Sequence, residues 1–556
     1  MSSVQIRIVC PHCGYAEDFT RILTACPKCG EANLDADYVP ENGSLSWPEA
    51  LVGRSADMWR YRELLPIREP RHIVSMGEGM TPFLKCENLG AMLGLHHLYL
   101  KDERQGPTGS FKDRQAALAI STLKEMGIHE MVVASTGNVA IAYAAYAARA
   151  GVKMWVFTIS SVPADKMREV TLYGTELVKV TGTYDQAKQV AERFAQSKGL
   201  FLDRGVKSIA AKEAMKTMAF EMAEQLAAIY GPAANGIPWR TPHWYIQAVS
   251  GGLGPVGVMK GFRELERFGL SEGLPKLGLI QSSGCDPMVR GFHNNEEEAS
   301  PILQPKTRIA TVATGVPGVA YKMLRRDVLD IGGTFESVSD EDAYKALKTV
   351  AQLEGISVEP ATALAFAGLF KMVRMRMIDP DEIVVVNCSG HTFPVEKHIL
   401  GDQVGHDVDV TSAAHVEVPT EGLLAALEEV DTRVGQVVVI EDDLDASTLM
   451  TRILKAHGVS TVHQAYDGQQ GIDLVQRIQP DLIILDLMMP NVDGFGVLDR
   501  LKVDEALRDV PVIVVTAKDL TNEERARLSG QVQGLLSKGS FIDEDALQHL
   551  LNEKLG

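Results

Sequence analysis

The stretch GPTGSFKDRQ, residues 106–115, sets Lys112 between Phe111 and Asp113. A lysine in that setting is either a solvated surface charge or an amine that forms a Schiff base with a carbonyl. Two other stretches bear on the choice. In HWYIQAVSGGLGPVGVMKGFRELERFG an apolar run leads into the glycine loop Ser250–Gly254 and then into a helical pattern. Glycines let the backbone approach an anion closely, and a helix start offers it unpaired N–H groups. The loop lacks the Gly-Lys-Ser/Thr of a Walker loop and the glycine spacing of a dinucleotide fingerprint. Ser250, Gly251, Gly252 and Gly254 therefore read as a site for some other phosphate-bearing ligand. In VVASTGNVAIAYAAYAARAG, Ser135, Thr136 and Asn138 meet at a second strand-to-helix turn. Their hydroxyls and amide suit a carboxylate or a polar ring substituent, and they equally suit simple helix capping.

Four of the seven cysteines form CPHCGYAEDFTRILTACPKCG, with Cys10, Cys13, Cys26 and Cys29 in two C-x-x-C knuckles. Each knuckle aims two thiolates at one point, and two knuckles complete a tetrahedral zinc site with no open position. So small a region buries little core, and zinc would supply its folding energy. A redox pair or a metal-free ribbon are the competing readings. Cys86, Cys285 and Cys388 are scattered singly, unlike a secreted disulfide framework, so a reducing cytoplasm is expected.

A third constellation lies near the C-terminus. GQVVVIEDD ends an apolar run in Glu441 and Asp442, PDLIILD ends one in Asp486, VPVIVVT in Thr516, and QGLLSK in Lys538. Polar groups at strand C-termini are where doubly wound sheets build their sites. Carboxylates gathered there hold magnesium, and a carboxylate, a hydroxyl and a lysine make a phosphoryl-accepting site.

These residues need a scaffold, and the 556-residue chain is long enough for several domains. Residues 1–39 are cysteine-paired and poor in core-forming runs. From 40 to 400, apolar runs such as EMVVAS, KMWVFTI and EIVVVN alternate with amphipathic stretches such as DQAKQVAERFAQSKG. That alternation predicts α/β architecture with a mostly parallel sheet. Residues 401–434 break the rhythm and read as a linker. A second α/β rhythm fills 435–556 and carries about half of the net negative charge. The formal net charge of -18 argues against a nucleic-acid surface. No apolar run approaches a membrane span, and the N-terminus lacks the pattern of a secretory signal.

MGEGMTPFLKCENLGAMLGLHHLYLKDE, PTGSFKDR, STGNVA, the glycine loop and VEPATALAFAGL, in that order, resemble threonine synthase. This is a pyridoxal-phosphate enzyme of the two-subdomain, fold type II, tryptophan-synthase-β-like class, and some relatives carry an N-terminal zinc ribbon. The resemblance implies that Lys112 holds the cofactor and shuttles protons. Asn138 would contact the ring hydroxyl, and Ser250, Gly251, Gly252 and Gly254 would cup the phosphate. Ser389, in VVVNCSGHTF, falls where the family sets a hydroxyl opposite the pyridine nitrogen. A neutral hydroxyl does not hold a pyridinium as a carboxylate does. Ser135 and Thr136 would meet the substrate, and Lys166 aligns with a family lysine that binds its phosphate. The implied reaction converts O-phosphohomoserine and water to threonine and phosphate.

The chain also departs from that pattern. Gly106 replaces the usual asparagine, and Glu169 replaces a glutamine near the substrate phosphate. GVKSIAAKEAMKT replaces an asparagine–proline–x–arginine stretch, and SGGLGP is nearer to cysteine- and cysteate-synthase-like relatives. The alternatives are a β-replacing synthase acting on phosphoserine, a hydroxy-amino-acid dehydratase, and a non-catalytic sensor of an amino acid or of the cofactor. Residues 435–556 resemble a response-regulator receiver, a flavodoxin-like doubly wound parallel sheet. That implies Asp486 as phospho-acceptor, magnesium at Glu441, Asp442 and Asp486, and Thr516 and Lys538 against the phosphoryl group. Leu535 and Gly539 stand where many receivers carry an aromatic and a proline. The two resemblances imply a histidine kinase or phosphotransfer protein as partner and a homodimer.

Overall fold

The computed structural model describes residues 4–391 and 435–537, except 42, 44, 46, 161–163, 457–458, 505, 509, 517–520, 522–523, 525–526, 529–531 and 533. Near the N-terminus, strand Val4–Val9 pairs antiparallel with Ala16–Asp18 on one side and Asp35–Pro40 on the other. This small sheet is fastened to the next region through both polar and apolar groups. The Tyr38 hydroxyl donates to Glu213 at 2.8 Å, the Lys212 amine donates to the Leu34 carbonyl at 2.6 Å, and Lys260 pairs with Asp35 at 3.1 Å. Phe19, Cys10 and Cys26 are buried in the same apolar cluster as Trp47, Met218 and Phe220.

The central region builds two sheets. The larger has six strands in the order Gly333–Val338, Lys276–Ser282, Trp244–Ala248, Val384–Cys388, Leu98–Asp102 and Phe83–Lys85. All are parallel except the last. The smaller runs Glu176–Val180, Lys153–Ile159, Glu130–Ala134 and Phe201–Leu202, wholly parallel. Parallel strands are covered by helices on both faces, which is why runs such as Val384–Cys388 are apolar almost throughout and fully buried. The predicted helix in 185–199 is present as Tyr184–Lys198. Thr183 and Gln186 form a capping box at its start, and Gly199 closes it in the left-handed conformation.

Residues 435–537 form a five-stranded parallel sheet ordered Thr461–Ala465, Gln436–Ile440, Leu482–Leu485, Val512–Thr516, Gly534–Ser537. Numbered along the chain this is 2-1-3-4-5, the flavodoxin-like doubly wound order. Among the described residues no helix is long and apolar enough to cross a membrane.

Candidate active site

Three neighbouring strands of the large sheet deliver the site. Leu98–Asp102 leads through a loop to helix Lys112–Glu125, Trp244–Ala248 leads to the glycine loop, and Val384–Cys388 leads to Ser389. The small sheet supplies the opposite wall, where Glu130–Ala134 runs into Ser135–Asn138. A cavity of about 460 Å³ lies between them, and Lys112, Ser135, Thr136, Asn138, Ser250, Gly251, Gly252, Gly254 and Ser389 all line it. Residues spread over 277 positions of sequence thus share one chamber at the C-terminal ends of the strands.

Helix Lys112–Glu125 is locked in place just past its first residue. Arg114 is 1% exposed and binds Glu103 at 2.7 Å and Glu221 at 2.5 Å, while Lys101 reaches Glu221 at 2.7 Å. The loop before the helix is tied to the neighbouring strand, because the Phe111 amide donates to the Ser389 carbonyl at 3.0 Å and the His391 amide to Gly109 at 2.9 Å. These bonds fix Lys112 relative to Ser389. Burial pushes the Lys112 amine down to about 8, against the opposing pull of Glu359 and Asp203. Asp203, itself pushed up by burial, accepts a 2.6 Å bond from the Tyr143 hydroxyl and lines the same cavity.

The glycine loop opens helix Leu253–Arg267. Gly252 has φ +77°, a left-handed conformation in which a side chain is strained, and a β carbon there would also stand 2.9 Å from Leu324. Gly251 lines the cavity, and no atom lies within 4 Å of the place its β carbon would take. Helix N–H groups, the Ser250 hydroxyl bonded to Thr314 at 2.5 Å, and this open cradle fit a phosphate. Asn138 and Ser389 both bond one carboxylate, that of Glu359, at 2.8 Å and 3.0 Å. Ser135 also performs the capping that was its competing reading, since its hydroxyl accepts from the Gly137 and Ala140 amides at 3.2 Å each. An amine with a lowered pKa, a phosphate cradle and two polar groups between them fit pyridoxal phosphate.

Sequence reasoning passed over Glu359, Asp203 and three cations on the cavity wall, Lys188, Arg204 and Lys207. Glu359 sits inside the quoted motif VEPATALAFAGL, so the signal was present there. The Lys166 side chain lies outside the described residues, and Glu169 is not part of the described cavity wall.

Two further clusters are preformed. The sulfurs of Cys10, Cys13, Cys26 and Cys29 all lie within 4.8 Å of one another, with Cys10–Cys29 and Cys13–Cys26 each at 3.6 Å. Zinc–sulfur bonds of about 2.3 Å in a tetrahedron call for separations near 3.8 Å, so the cluster fits zinc. Carboxylate oxygens of Glu441, Asp442 and Asp486 also lie within 4.8 Å of one another. Glu441 and Asp486 are buried, and Thr516, also buried, ends the next strand. Close carboxylates repel, and a divalent cation relieves that repulsion, so this donor set fits magnesium. Lys538 and Gly539 lie outside the described residues, as does the side chain of Leu535.

Fold and central cavity define a pyridoxal-phosphate enzyme of two α/β subdomains, followed by a doubly wound receiver. Residues 74–390 match the family model of pyridoxal-phosphate dependent enzymes, and residues 437–552 match that of the response regulator receiver domain. Threonine synthase of Methanocaldococcus jannaschii is 34% identical over 383 residues, 69% of this chain and 91% of that protein. Threonine synthase of Methanosarcina acetivorans is 33% identical over 384 residues, 69% and 90% of the two chains. Among solved structures, the processed form of threonine deaminase isoform 2 from Solanum lycopersicum has a TM-score of 0.48 at 21% identity, over 57% of this chain and 81% of its own. The chain belongs to the pyridoxal-phosphate dependent enzymes as a threonine synthase-like lyase, fused to a C-terminal receiver domain.

Proposed function

We propose that the lyase acts on O-phosphohomoserine, releasing phosphate and forming threonine. The observation that carries this reading is the cationic wall. Lys188, Arg204 and Lys207 line the same cavity as Lys112, where a substrate phosphate has to be held as it leaves. Lys188 pairs with Asp185 at 2.6 Å and Arg204 with Glu192 at 3.3 Å. A doubly charged phosphate competes well for such partly exposed pairs, which are individually weak.

Pyridoxal phosphate, when bound, supplies the electron sink that makes the substrate's α proton acidic. The chain's residues do the rest. The glycine loop and the start of helix Leu253–Arg267 would hold the cofactor's phosphate, and Asn138 and Ser389 would hold its ring. Lys112, with its amine near 8, is neutral in a useful fraction of molecules near neutral pH. It would therefore anchor the cofactor and, as a free amine, would take the α proton of the substrate. Phosphate leaves the γ carbon into the cationic wall as a β proton is lost; a proton then goes to the γ carbon, water gives its hydroxyl to the β carbon and its proton to the phosphate, and the α carbon regains its proton.

Phosphorus NMR together with amino-acid analysis, on the full chain loaded with cofactor, tests the substrate. The expected result is inorganic phosphate and threonine from O-phosphohomoserine. An inert O-phosphohomoserine, with phosphoserine consumed in the presence of a sulfur nucleophile, would give the assignment to a β-replacing synthase.

The proposal extends to the other two clusters. Cys10, Cys13, Cys26 and Cys29 hold a structural zinc. Asp486 accepts a phosphoryl group from a histidine kinase or phosphotransfer protein, with magnesium on Glu441, Asp442 and Asp486, and with Thr516 and Lys538 against the phosphoryl oxygens. Phosphorylation then alters turnover or partner choice of a homodimeric enzyme. Equal lyase rates and equal partner binding for wild type and Asp486→Ala, with a small-molecule phosphodonor present, would remove that coupling.

A further inference from the structure

Arg204 and Lys207 of the cationic wall stand on a short strap, residues 203–208, between strand Phe201–Leu202 and helix Ile209–Met215. The strap is closed on itself. The Gly205 amide donates to Asp203 Oδ1 at 2.8 Å, the Arg204 amide to the Ser208 hydroxyl at 2.9 Å, and the Ser208 amide to the Gly205 carbonyl at 2.9 Å. These bonds stiffen it, and its place is set at its ends. At the first end Asp203 accepts from the Tyr143 hydroxyl at 2.6 Å. At the other, Ile209 is buried in the same apolar cluster as Phe19 of the N-terminal region.

Residues 19–24 lie between Cys13 and Cys26, so the cysteine cluster holds this segment at both ends. Phe19, Ile22, Leu23 and Thr24 face two other elements across a gap of about 30 Å³. One is the strap, through Arg204, Lys207 and Ser208. The other is the second half of helix Lys112–Glu125, through Ala119, Thr122 and Leu123. Ile22 packs on the apolar cluster that contains Ala119 and Leu123, and Leu23 on the one that contains Ile209. The segment thus meets both the helix that begins with the anchor lysine and the strap that carries two of the three cations. Arg204 and Lys207 line both spaces, the central cavity on one side and the gap against the segment on the other. An amino acid with a phosphate on its γ carbon has a limited reach from amine to phosphate. A site that holds both ends binds well only when they are kept at that separation.

We propose that residues 19–24 are a positioning element for the substrate's phosphate, with Ile22 and Leu23 bracing the strap so that Arg204 and Lys207 stay within the substrate's reach of Lys112. The inference rests on the pyridoxal-phosphate and O-phosphohomoserine readings of the site. It gives the cysteine-bearing region a part in substrate affinity beyond its own folding. Helix Lys112–Glu125 is locked separately by Arg114, so the strap is the part that shifts when the brace is weakened. Weakening it therefore raises KM for a phosphorylated substrate and leaves kcat, which depends on proton transfers at Lys112.

Ile22→Ala and Leu23→Ala in the cofactor-loaded full chain test this, read by steady-state kinetics and by calorimetric titration with inorganic phosphate. KM for O-phosphohomoserine and the Kd of phosphate are expected to rise together, roughly 3–10-fold, with kcat within about twofold of wild type. Affinity for homoserine, the same skeleton without the phosphate, should stay unchanged, and Ile22→Val and Leu23→Met should behave as wild type. A second measurement needs no variant. On adding phosphate to wild type, hydrogen exchange should slow at residues 203–208 and at 19–24 together. An unaltered phosphate Kd in the alanine variants overturns the inference. Equal weakening of homoserine and phosphate binding does so too, as does phosphate protection confined to the strap. Wild type that takes up no cofactor, or takes it up and binds no phosphate, overturns the underlying readings as well, so the failures are distinguishable.

Discussion

A β carbon at Gly106 would stand 2.4 Å from Oδ2 of Asp113 and 2.9 Å from the Ser110 carbonyl oxygen. The Asp113 carboxylate folds back over the loop, accepting from the Thr108 hydroxyl at 2.6 Å and from its amide at 3.0 Å. Gly106 is a position where the chain departs from the threonine-synthase pattern, and this contact is the physical reason. The loop ahead of Lys112 is held by Asp113, and glycine leaves room for it. We predict that Gly106→Asn destabilises the central domain by about 1–3 kcal/mol, the usual cost of overpacking. Denaturant unfolding of the Gly106→Asn protein measures this, and Asp113→Ala in the same background should recover part of the loss. Unchanged stability would show that the loop adjusts freely.

The lowered pKa of Lys112 has a kinetic signature. Capture of free pyridoxal phosphate requires the neutral amine, so the capture rate should rise about tenfold per pH unit and level off above about 8. An amine at its ordinary value would keep gaining to about 10.5. Absorbance after rapid mixing of cofactor-free protein gives the profile. The linkage runs the same way: the folded state gives up this proton before the unfolded state does, so Lys112 adds stability as pH rises from about 8 to the ordinary lysine value.

Arg114 answers two buried carboxylates, Glu103 and Glu221, both below 2% exposure. Arg114→Met leaves Glu103 without its guanidinium partner and Glu221 with Lys101 alone. Removing one member of such a cluster costs about 3–5 kcal/mol. The unfolding midpoint should fall accordingly, and the Lys112 helix should lose hydrogen-exchange protection. Wild-type protection in this variant would contradict the positioning role.

The cysteine cluster predicts one zinc per chain, lost on substituting Cys10 or Cys26 by serine. Zinc removal should loosen the N-terminal sheet and its contacts to Glu213 and Lys260, lowering thermal stability more than it lowers turnover per folded molecule. Elemental analysis beside calorimetry checks both halves. Metal-free protein of undiminished stability would leave the ribbon a metal-independent element.

Much of the fold was legible because parallel strands have no polar face. Runs such as VVVN at 384–387 and VVVI at 437–440 are unbroken and buried, so the α/β rhythm could be read directly. The candidate site was legible wherever backbone chemistry demands particular residues, as at Gly252. Glu359 escaped because it opens helix Pro360–Arg374, and its partner Ser389 comes thirty positions later, just past strand Val384–Cys388. Lys188 and Glu192 looked like the solvated face of an amphipathic helix, and only the small sheet's placement turns them toward the cavity. Asp203 and Arg204 directly precede GVKSIAAKEAMKT, the stretch where the chain leaves the family pattern, so the resemblance offered no guide to them.

The account turns on Lys112 as the anchor in a cavity walled by the glycine loop, Asn138 and Ser389. Borohydride reduction of the cofactor-loaded full chain, followed by peptide mass mapping, tests this most directly. The account predicts a single reduced cofactor adduct on the peptide containing Lys112, absent from Lys112→Ala. An adduct on another lysine, or a coloured Lys112→Ala protein that still traps the cofactor covalently, would contradict it.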